Sequence, residues 1–385
     1  MIYLIVSHFM TWLEAHGLGF LRVFTFVTFQ TTLAVMFSFL MVILPAPRII
    51  AWLRKMKIGD NPNFDQADIN KLNEGKRGTP TMGGVLIIAA IALTTLLMAD
   101  VRNFYVQMAL VCLLWLGGVG AADDWLKLTI ARRGGSRQGL TGLEKLLFQI
   151  GLGVILSYFT FHYGREIAPN HTLYFPFFKD LQLQLSLGAF LLIGTLVITG
   201  SSNAVNLTDG MDGLAAGTMA IVSFTFLILV LIVGTLTPIY PRGLNMLLLP
   251  YIQGSDQLAI IAGAIGGACL GFLWFNCNPA AVFMGDTGSL ALGGLIGYIA
   301  IVIRQELMLF MVGGVFVIEA MSVMIQVSYF KYTRRKYGEG RRVFLMSPLH
   351  HHFQKKGWTE TQVVVRFWLV GAMMAALSLA TIKLR

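Results

Sequence analysis

The chain reads as an all-α, polytopic integral membrane protein of about ten transmembrane helices. Three observations predict this. Hydrophobic residues make up 56% of the 385 and charged residues only 12%, about half the charged share of an ordinary soluble domain. Apolar runs close to the length needed to cross a bilayer, about 20 residues, recur along the whole sequence. Lys and Arg gather in the odd-numbered connections between those runs. The 41 glycines and 19 methionines fit packed membrane helices better than a water-soluble core. One membrane domain over 1–385 is therefore expected, with 1–22 as an N-terminal interfacial segment.

Residues 1–20 are apolar but interrupted by His8, Glu14 and His16. They lack a basic n-region and a small-residue cleavage site, so they read as an interfacial or half-inserted helix, not a removed signal. The expected spans are 23–44, 81–99, 104–122, 144–162, 185–200, 213–234, 258–275, 289–304, 307–330 and 363–383. Cys112, Cys269 and Cys277 fall in or beside these runs with no metal-ligand spacing, and read as small buried hydrophobes.

The net charge of +10 could point to nucleic acid, but its distribution points to topology instead. The first, third and ninth connections hold twenty Lys and Arg, counting Lys145 at the next helix start, whereas the even connections hold five. By the positive-inside rule the odd connections are cytoplasmic and both termini lie outside. The same count sorts the acids: Asp123 and Asp124 lie in the third connection, Asp209 and Asp212 in the fifth, and Asp286 in the seventh. Five aspartates from three connections thus share one membrane face with basic clusters and a His350-His351-His352 run. Clustered carboxylates within a cationic surround suit a divalent metal and a polyanionic substrate. The even connections, including the Pro/Tyr/Gly segment 237–254, carry no recognisable chemistry, and no inverted repeat of the transporter kind is evident.

Each motif also has a plainer reading. Gly78-Thr79-Pro80-Thr81-Met82-Gly83-Gly84 opens the second span, where Pro and Gly suit a helix start and close backbone approach. With Lys76 and Arg77 ahead of it, it is also a candidate ligand loop. Asp123 and Lys127 stand i,i+4 and could form a surface ion pair. Adjacent helical residues point about 100° apart, so Asp123 and Asp124 are not expected to hold one metal together, and their roles should differ. Asn203, Asn206, Asp209 and Asp212 recur every three residues, sharing a face if the backbone is helical. A rival reading makes Asp209 an N-cap with Asp212 at N3, which leaves the two upstream amides unexplained. Gly285-Asp286-Thr287-Gly288 before a helix is either a cap or an anion site. Three consecutive histidines splay too widely for one metal and suit phosphate better. Glu319 and Gln326 share a face of the ninth span, Glu319 either buried for structure or functional, Gln326 nearer the site.

Taken together, the strings G-T-P-T-M-G-G, D-D-W-L-K, N-L-T-D-G-M-D-G-L-A, F-M-G-D-T-G-S-L-A-L-G-G and P-L-H-H-H-F resemble the polyprenyl-phosphate N-acetylhexosamine-1-phosphate transferase superfamily, and within it the bacterial peptidoglycan branch. The resemblance runs from about residue 20 to the C-terminus. Gln354, where Glu is expected, and a longer stretch over 131–138 depart from the pattern. The resemblance implies ten helices, a cytoplasmic Mg²⁺ site and a membrane-embedded homodimer. It makes Asp286 the metal ligand, Asp123 the residue that accepts or holds the lipid phosphate's proton, and Asp124 its support. Lys127, Lys145, His350, His351 and His352 match positions associated with phosphate and catalysis. Lys76, Asn206, Asp209, Gly210, Asp212, Asn276, Phe283 and Gln326 match positions lining the uridine-nucleotide pocket, with Thr81 and Asn203 as further candidates there.

The implied reaction moves phospho-MurNAc-pentapeptide from its UDP carrier to undecaprenyl phosphate in the bacterial inner membrane, giving lipid I and UMP. The alternatives are a sister transferase moving GlcNAc-1-phosphate and, from another class, an ion-coupled transporter, which predicts acids at mid-membrane in paired repeats. No nucleic-acid partner is expected.

Overall fold

A computed structural model of the protein describes residues 2–55, 78–132, 139–167, 171–178, 181–235 and 249–382. A chain in hydrocarbon must satisfy its backbone N–H and C=O groups internally, so long apolar runs fold as helices. Two short helices, α1 (Ile2–His8) and α2 (Met10–Ala15), and a 3-10 turn over Gly19–Thr25 come first, with Phe9, Trp12 and Phe20 exposed. Then follow α3 (Val27–Ile43), running on into α4 (Ala46–Lys55), α5 (Gly84–Met98), α6 (Phe104–Arg132), α7 (Gly142–Ile167), α8 (Leu187–Thr208), α9 (Leu214–Thr235), α10 (Gln257–Asn276) and α11 (Gly285–Val302). The chain closes with α12 (Glu306–Val312), α13 (Gly314–Tyr337), α14 (Leu349–Lys355) and α15 (Glu360–Thr381). Among the described residues nine helices are long and apolar enough to cross a membrane, and α5 is a shorter apolar one. Each of the ten expected spans therefore has a helix.

The centre of the bundle is α11, which packs mainly on α6 and α8, while α10 packs on α3 and α9. Every residue of α11 from Thr287 to Val302 is buried. Small residues set the spacing, as is usual where apolar lipid leaves close packing to hold helices together. Gly288 lies against the backbone of Gly84, Gly293 and Gly297 lie against Ser201, and Gly120 lies against the carbonyl of Asp286. A side chain at Gly120 would push the start of α11 away from α6.

Three features differ from the sequence reading. The third span continues through Asp123 and Asp124 to Arg132, residues 123–132 keeping helical geometry beyond the apolar run. A two-stranded antiparallel hairpin, β1 (Thr172–Tyr174) with β2 (Gln182–Gln184), occupies the fourth connection. The ninth apolar stretch is broken at Gly313 between α12 and α13, where the Met374 side chain of α15 packs on Gly314. The hairpin lies at the end of the bundle that also holds Arg304, which is buried, 3.8 Å from Glu306 and stacked over Phe190. The aspartates converge at the other end.

Candidate active site

The site is assembled where α6 ends and α11 begins. The 80–84 segment runs beside 283–284: Phe283 N–H donates to the Pro80 carbonyl, Gly83 N–H to the Phe283 carbonyl and Gly84 N–H to that of Met284, each at 2.8 Å. Gly285 then turns the chain at φ +73°, a conformation that L side chains resist. A Cβ there would also meet Asp124 Oδ2 at 2.7 Å and Thr81 Oγ1 at 3.0 Å. Asp124 caps α11: Oδ1 accepts from the Asp286 N–H at 3.1 Å, and Oδ2 from the Thr287 N–H at 3.0 Å and hydroxyl at 2.6 Å. With both oxygens engaged and the residue 3% exposed, Asp124 fixes where Asp286 stands.

Asp123 faces a different set. Its Oδ1 accepts from the Leu140 N–H at 2.7 Å, and Oδ2 meets Lys145 at 2.7 Å and Lys127 at 2.8 Å. The same two ammonium groups meet Asp286 Oδ2, Lys145 at 2.6 Å and Lys127 at 3.2 Å. Asp286 Oδ1 accepts from the Asn206 side chain at 2.9 Å, and that amide also reaches Ser289 Oγ at 2.9 Å. Asp123 and Asp124 thus have distinct partners, as their splay on the helix requires.

The same splay does not separate them from a common centre. One oxygen each of Asp123, Asp124 and Asp286 falls within 4.8 Å of the others, which corrects the expectation that the adjacent pair cannot share a metal. α11 brings Asp286 in between them. Among the described residues this is the one group of three or more metal-ligating side chains, and it offers hard oxygen donors of the kind Mg²⁺ prefers. The lysines bridging Asp123 and Asp286 show that cationic charge is already favoured there.

The Asp209–Gly213 turn forms the adjoining wall. Asp209 is the C-cap of α8, its N–H donating to the carbonyls of Asn206 and Val205 at 3.2 Å, so the N-cap reading fails. The helix through Asn203 and Asn206 runs on to Thr208. Burial, with Asp286 and Asp124 as negative neighbours, pushes the Asp209 carboxyl up to about 8. Asp212 turns to the 276–284 loop, accepting from Asn278 Nδ2 at 3.2 Å and the Ala280 N–H at 3.1 Å. Its own N–H donates to Glu360 at 2.9 Å.

Several predicted pocket residues spend their amides on the fold. Asn203 donates to Gln149 Oε1 at 2.7 Å. Asn276 accepts from the Gly213 N–H at 3.0 Å and donates to the Val282 carbonyl at 2.8 Å. Gln326 Oε1 accepts from the N–H groups of Val343 and Phe344, both at 3.0 Å. Beside it lies a cavity of about 290 Å³ lined in part by Phe330, Lys331 and Arg342. Phe283 and Thr81 stand at the edge of the acid cluster. The three histidines have three separate roles. His350 pairs with Glu319, His351 Nδ1 lies 3.2 Å from Gln354 Oε1, and His352 Nδ1 accepts from the Leu345 N–H at 3.1 Å. Burial and the nearby Lys356 lower the pKa of His352.

Lys76 lies outside the described residues. Sequence reasoning missed Thr287 and Ser289, although both sit in the Gly285–Ser289 string and Ser289 is i+3 from Asp286. It also missed Gln149, one helical turn from Lys145.

The glycosyl transferase family 4 model matches residues 106–304, just over half the chain, and that stretch carries every member of the acid cluster with both of its lysines. Residues 76–88 match the phospho-N-acetylmuramoyl-pentapeptide-transferase signature 1, and they include the segment paired with Phe283. The acids gather at helix ends on one side of the bundle, away from the mid-membrane positions a transporter would use. On these grounds the chain belongs to glycosyl transferase family 4, in the polyprenyl-phosphate hexosamine-1-phosphate transferase superfamily, and acts as a sugar-1-phosphate transferase of the membrane.

Proposed function

We propose that the protein transfers phospho-MurNAc-pentapeptide from UDP-MurNAc-pentapeptide to undecaprenyl phosphate, yielding lipid I and UMP. The observation that carries this is the meeting of Asp123, Asp124 and Asp286 with Lys127 and Lys145 at one end of a membrane bundle. The muramoyl-pentapeptide signature over 76–88 supports this donor over a GlcNAc-1-phosphate donor. One reactant is soluble and doubly phosphorylated and the other is anchored in lipid, so the site must lie at a membrane surface. The Lys and Arg distribution supports the cytoplasmic face, with both termini outside, in the bacterial inner membrane. A homodimer is part of the proposal by family resemblance.

In the reaction an oxygen of the lipid phosphate attacks the sugar-bearing phosphorus, and the bond from that phosphorus to the bridging oxygen breaks, releasing UMP. One pyrophosphate bond replaces another, so no ATP is needed. Both reactants are anions and approach only where their charge is offset. In this reading Lys127 and Lys145 hold phosphate oxygens, and Asp123 takes a proton from the lipid phosphate. Asp124 keeps Asp286 in register through its cap on α11. Mg²⁺, held by Asp286 with Asp123 and Asp124 in reach, would supply charge neutralisation at the pyrophosphate.

The test is transfer by purified protein in detergent, with UDP-MurNAc-pentapeptide and UDP-GlcNAc compared as donors. Mg²⁺-dependent UMP release with the muramoyl donor, abolished in Asp286→Asn, is the expected outcome. Release with UDP-GlcNAc alone, or undiminished turnover in Asp286→Asn, would overturn the proposal.

A further inference from the structure

Glu319 has no place in the chemistry above, yet it is fully buried in α13, within an apolar helix, where an ionisable group is costly unless it is used. Its carboxylate is spent on one residue. Oε1 accepts the backbone N–H of His350 at 3.1 Å, and Oε2 lies 3.1 Å from the ring Nδ1 of the same histidine. His350 is 1% exposed. Its other ring nitrogen, Nε2, is also buried and has no hydrogen-bond partner among the described residues. That nitrogen is aimed at the turn beside the acid cluster: a Cβ built on Gly210 would stand 2.5 Å from Nε2 and 3.0 Å from Cε1. Glycine at 210 is what lets the ring tip reach the turn.

We propose that Glu319 is a positioning residue that fixes the direction of His350 and offsets the charge of its imidazolium form, so that Nε2–H meets a phosphate oxygen of the donor at the Asp209–Gly213 turn. A carboxylate facing Nδ1 requires a proton on Nδ1, and a phosphate oxygen facing Nε2 requires one there too, so the ring that serves both is the imidazolium. When the ring is cationic, the glutamate neutralises it, so Nε2–H can face an anion without leaving an isolated buried charge. A buried nitrogen left without a hydrogen-bond partner is unfavourable, and a phosphate oxygen would supply the missing bond. If Glu319 served only to hold α14, the backbone contact from Oε1 would suffice and the ring contact would add nothing. The proposal rests on the phosphate-transfer reading above.

The experiment is a double-mutant cycle on the full-length protein, with UDP-MurNAc-pentapeptide, undecaprenyl phosphate and Mg²⁺, reading kcat and KM separately alongside Tm. E319Q keeps the size and the Oε1 acceptor but cannot accept from Nδ1–H if its amide nitrogen faces the ring. The expected result is a fall in kcat of about tenfold or more, with KM for undecaprenyl phosphate unchanged, and no further fall when E319Q is added to H350A. E319D should recover part of the kcat lost in E319A, because it restores the carboxylate. If E319Q loses the fold by Tm, the cycle is run on E319D. Wild-type kcat in E319Q, or losses that multiply in the double variant, would overturn the inference while leaving the function intact. A wild-type protein that releases no UMP would instead overturn the functional reading, and the inference with it.

Discussion

Lys145 and Asp286 meet at 2.6 Å, joining the start of α7 to the start of α11 across 141 residues of sequence. The same ammonium lies 2.7 Å from Asp123, so two carboxylates that would repel one another share a cation. On the proposed function Lys145 would both serve the phosphates and compete with a divalent metal for these oxygens. Lys145→Gln is expected to lower kcat about a hundredfold, the scale of removing one positioned charge-stabilising group. It should also lower the Mg²⁺ concentration giving half-maximal activity. A Mg²⁺ titration of the variant checks both, and an unchanged half-saturation point would show that lysine and metal do not compete.

Asp124 should behave differently from its neighbour. It accepts three hydrogen bonds that hold the first turn of α11, whereas Asp123 accepts from two lysine ammonium groups and one backbone N–H. Asp124→Asn turns one acceptor oxygen into a donor facing the Thr287 donors, at a cost of about 1–3 kcal/mol. Tm and activity should fall together in Asp124→Asn, while Asp286→Asn loses activity with Tm little changed. Thermal unfolding followed beside turnover separates the two, and equal Tm losses would remove the distinction.

Much of this was legible in the sequence because bilayer crossing is a local property. Apolar runs gave every span a helix, and counting Lys and Arg placed Asp123, Asp209 and Asp286 on one face before any contact was known. What was not legible depends on distant partners. Asn203, Asn276 and Gln326 carry amides that a motif assigns to ligand, but tertiary contacts with Gln149, Gly213 and Val343 claim them. The break at Gly313 falls where Met374 of α15 packs on Gly314. The pairing of Glu319 with His350 links two elements whose sequence patterns say nothing of each other. The rival N-cap reading of Asp209 arose because Asp-x-x-Asp before an apolar run fits both the end of α8 and the start of α9, and the backbone makes Asp209 the C-cap of α8.

The raised pKa of Asp209 gives a pH dependence of definite sign. Its carboxyl moves from 3.8 to about 8 because burial and the charges of Asp286 and Asp124 disfavour the anion. Between those values the folded protein holds a proton that the unfolded chain has released, so stability falls as pH rises through the window and levels off above it. In protein treated with a chelator, Tm should therefore decline from about pH 5 to about pH 8. Asp209→Asn, which cannot ionise, should flatten that decline. Parallel Tm curves for the two proteins would assign the slope to other groups.

Gln326 offers a clean separation of strut from ligand. Its Oε1 accepts from both Val343 and Phe344, pinning the 343–344 backbone to α13 beside the cavity that holds Lys331 and Arg342. The acceptor matters for this and the amide NH₂ matters little, since Nε2 reaches only the Phe344 carbonyl at 3.4 Å. Gln326→Glu keeps the acceptor and should retain most turnover, with KM for the nucleotide donor within about threefold of wild type on the scale of one weak hydrogen bond. Gln326→Ala frees two backbone N–H groups and should raise that KM more than tenfold, consistent with about 1.4 kcal/mol or more of lost organisation. It should also quicken protease cleavage between Gly338 and Ser347, where the chain is left without its anchor. If Gln326 instead bound the nucleotide through its NH₂, Gln326→Glu would fail as badly as Gln326→Ala while the loop stayed resistant to protease.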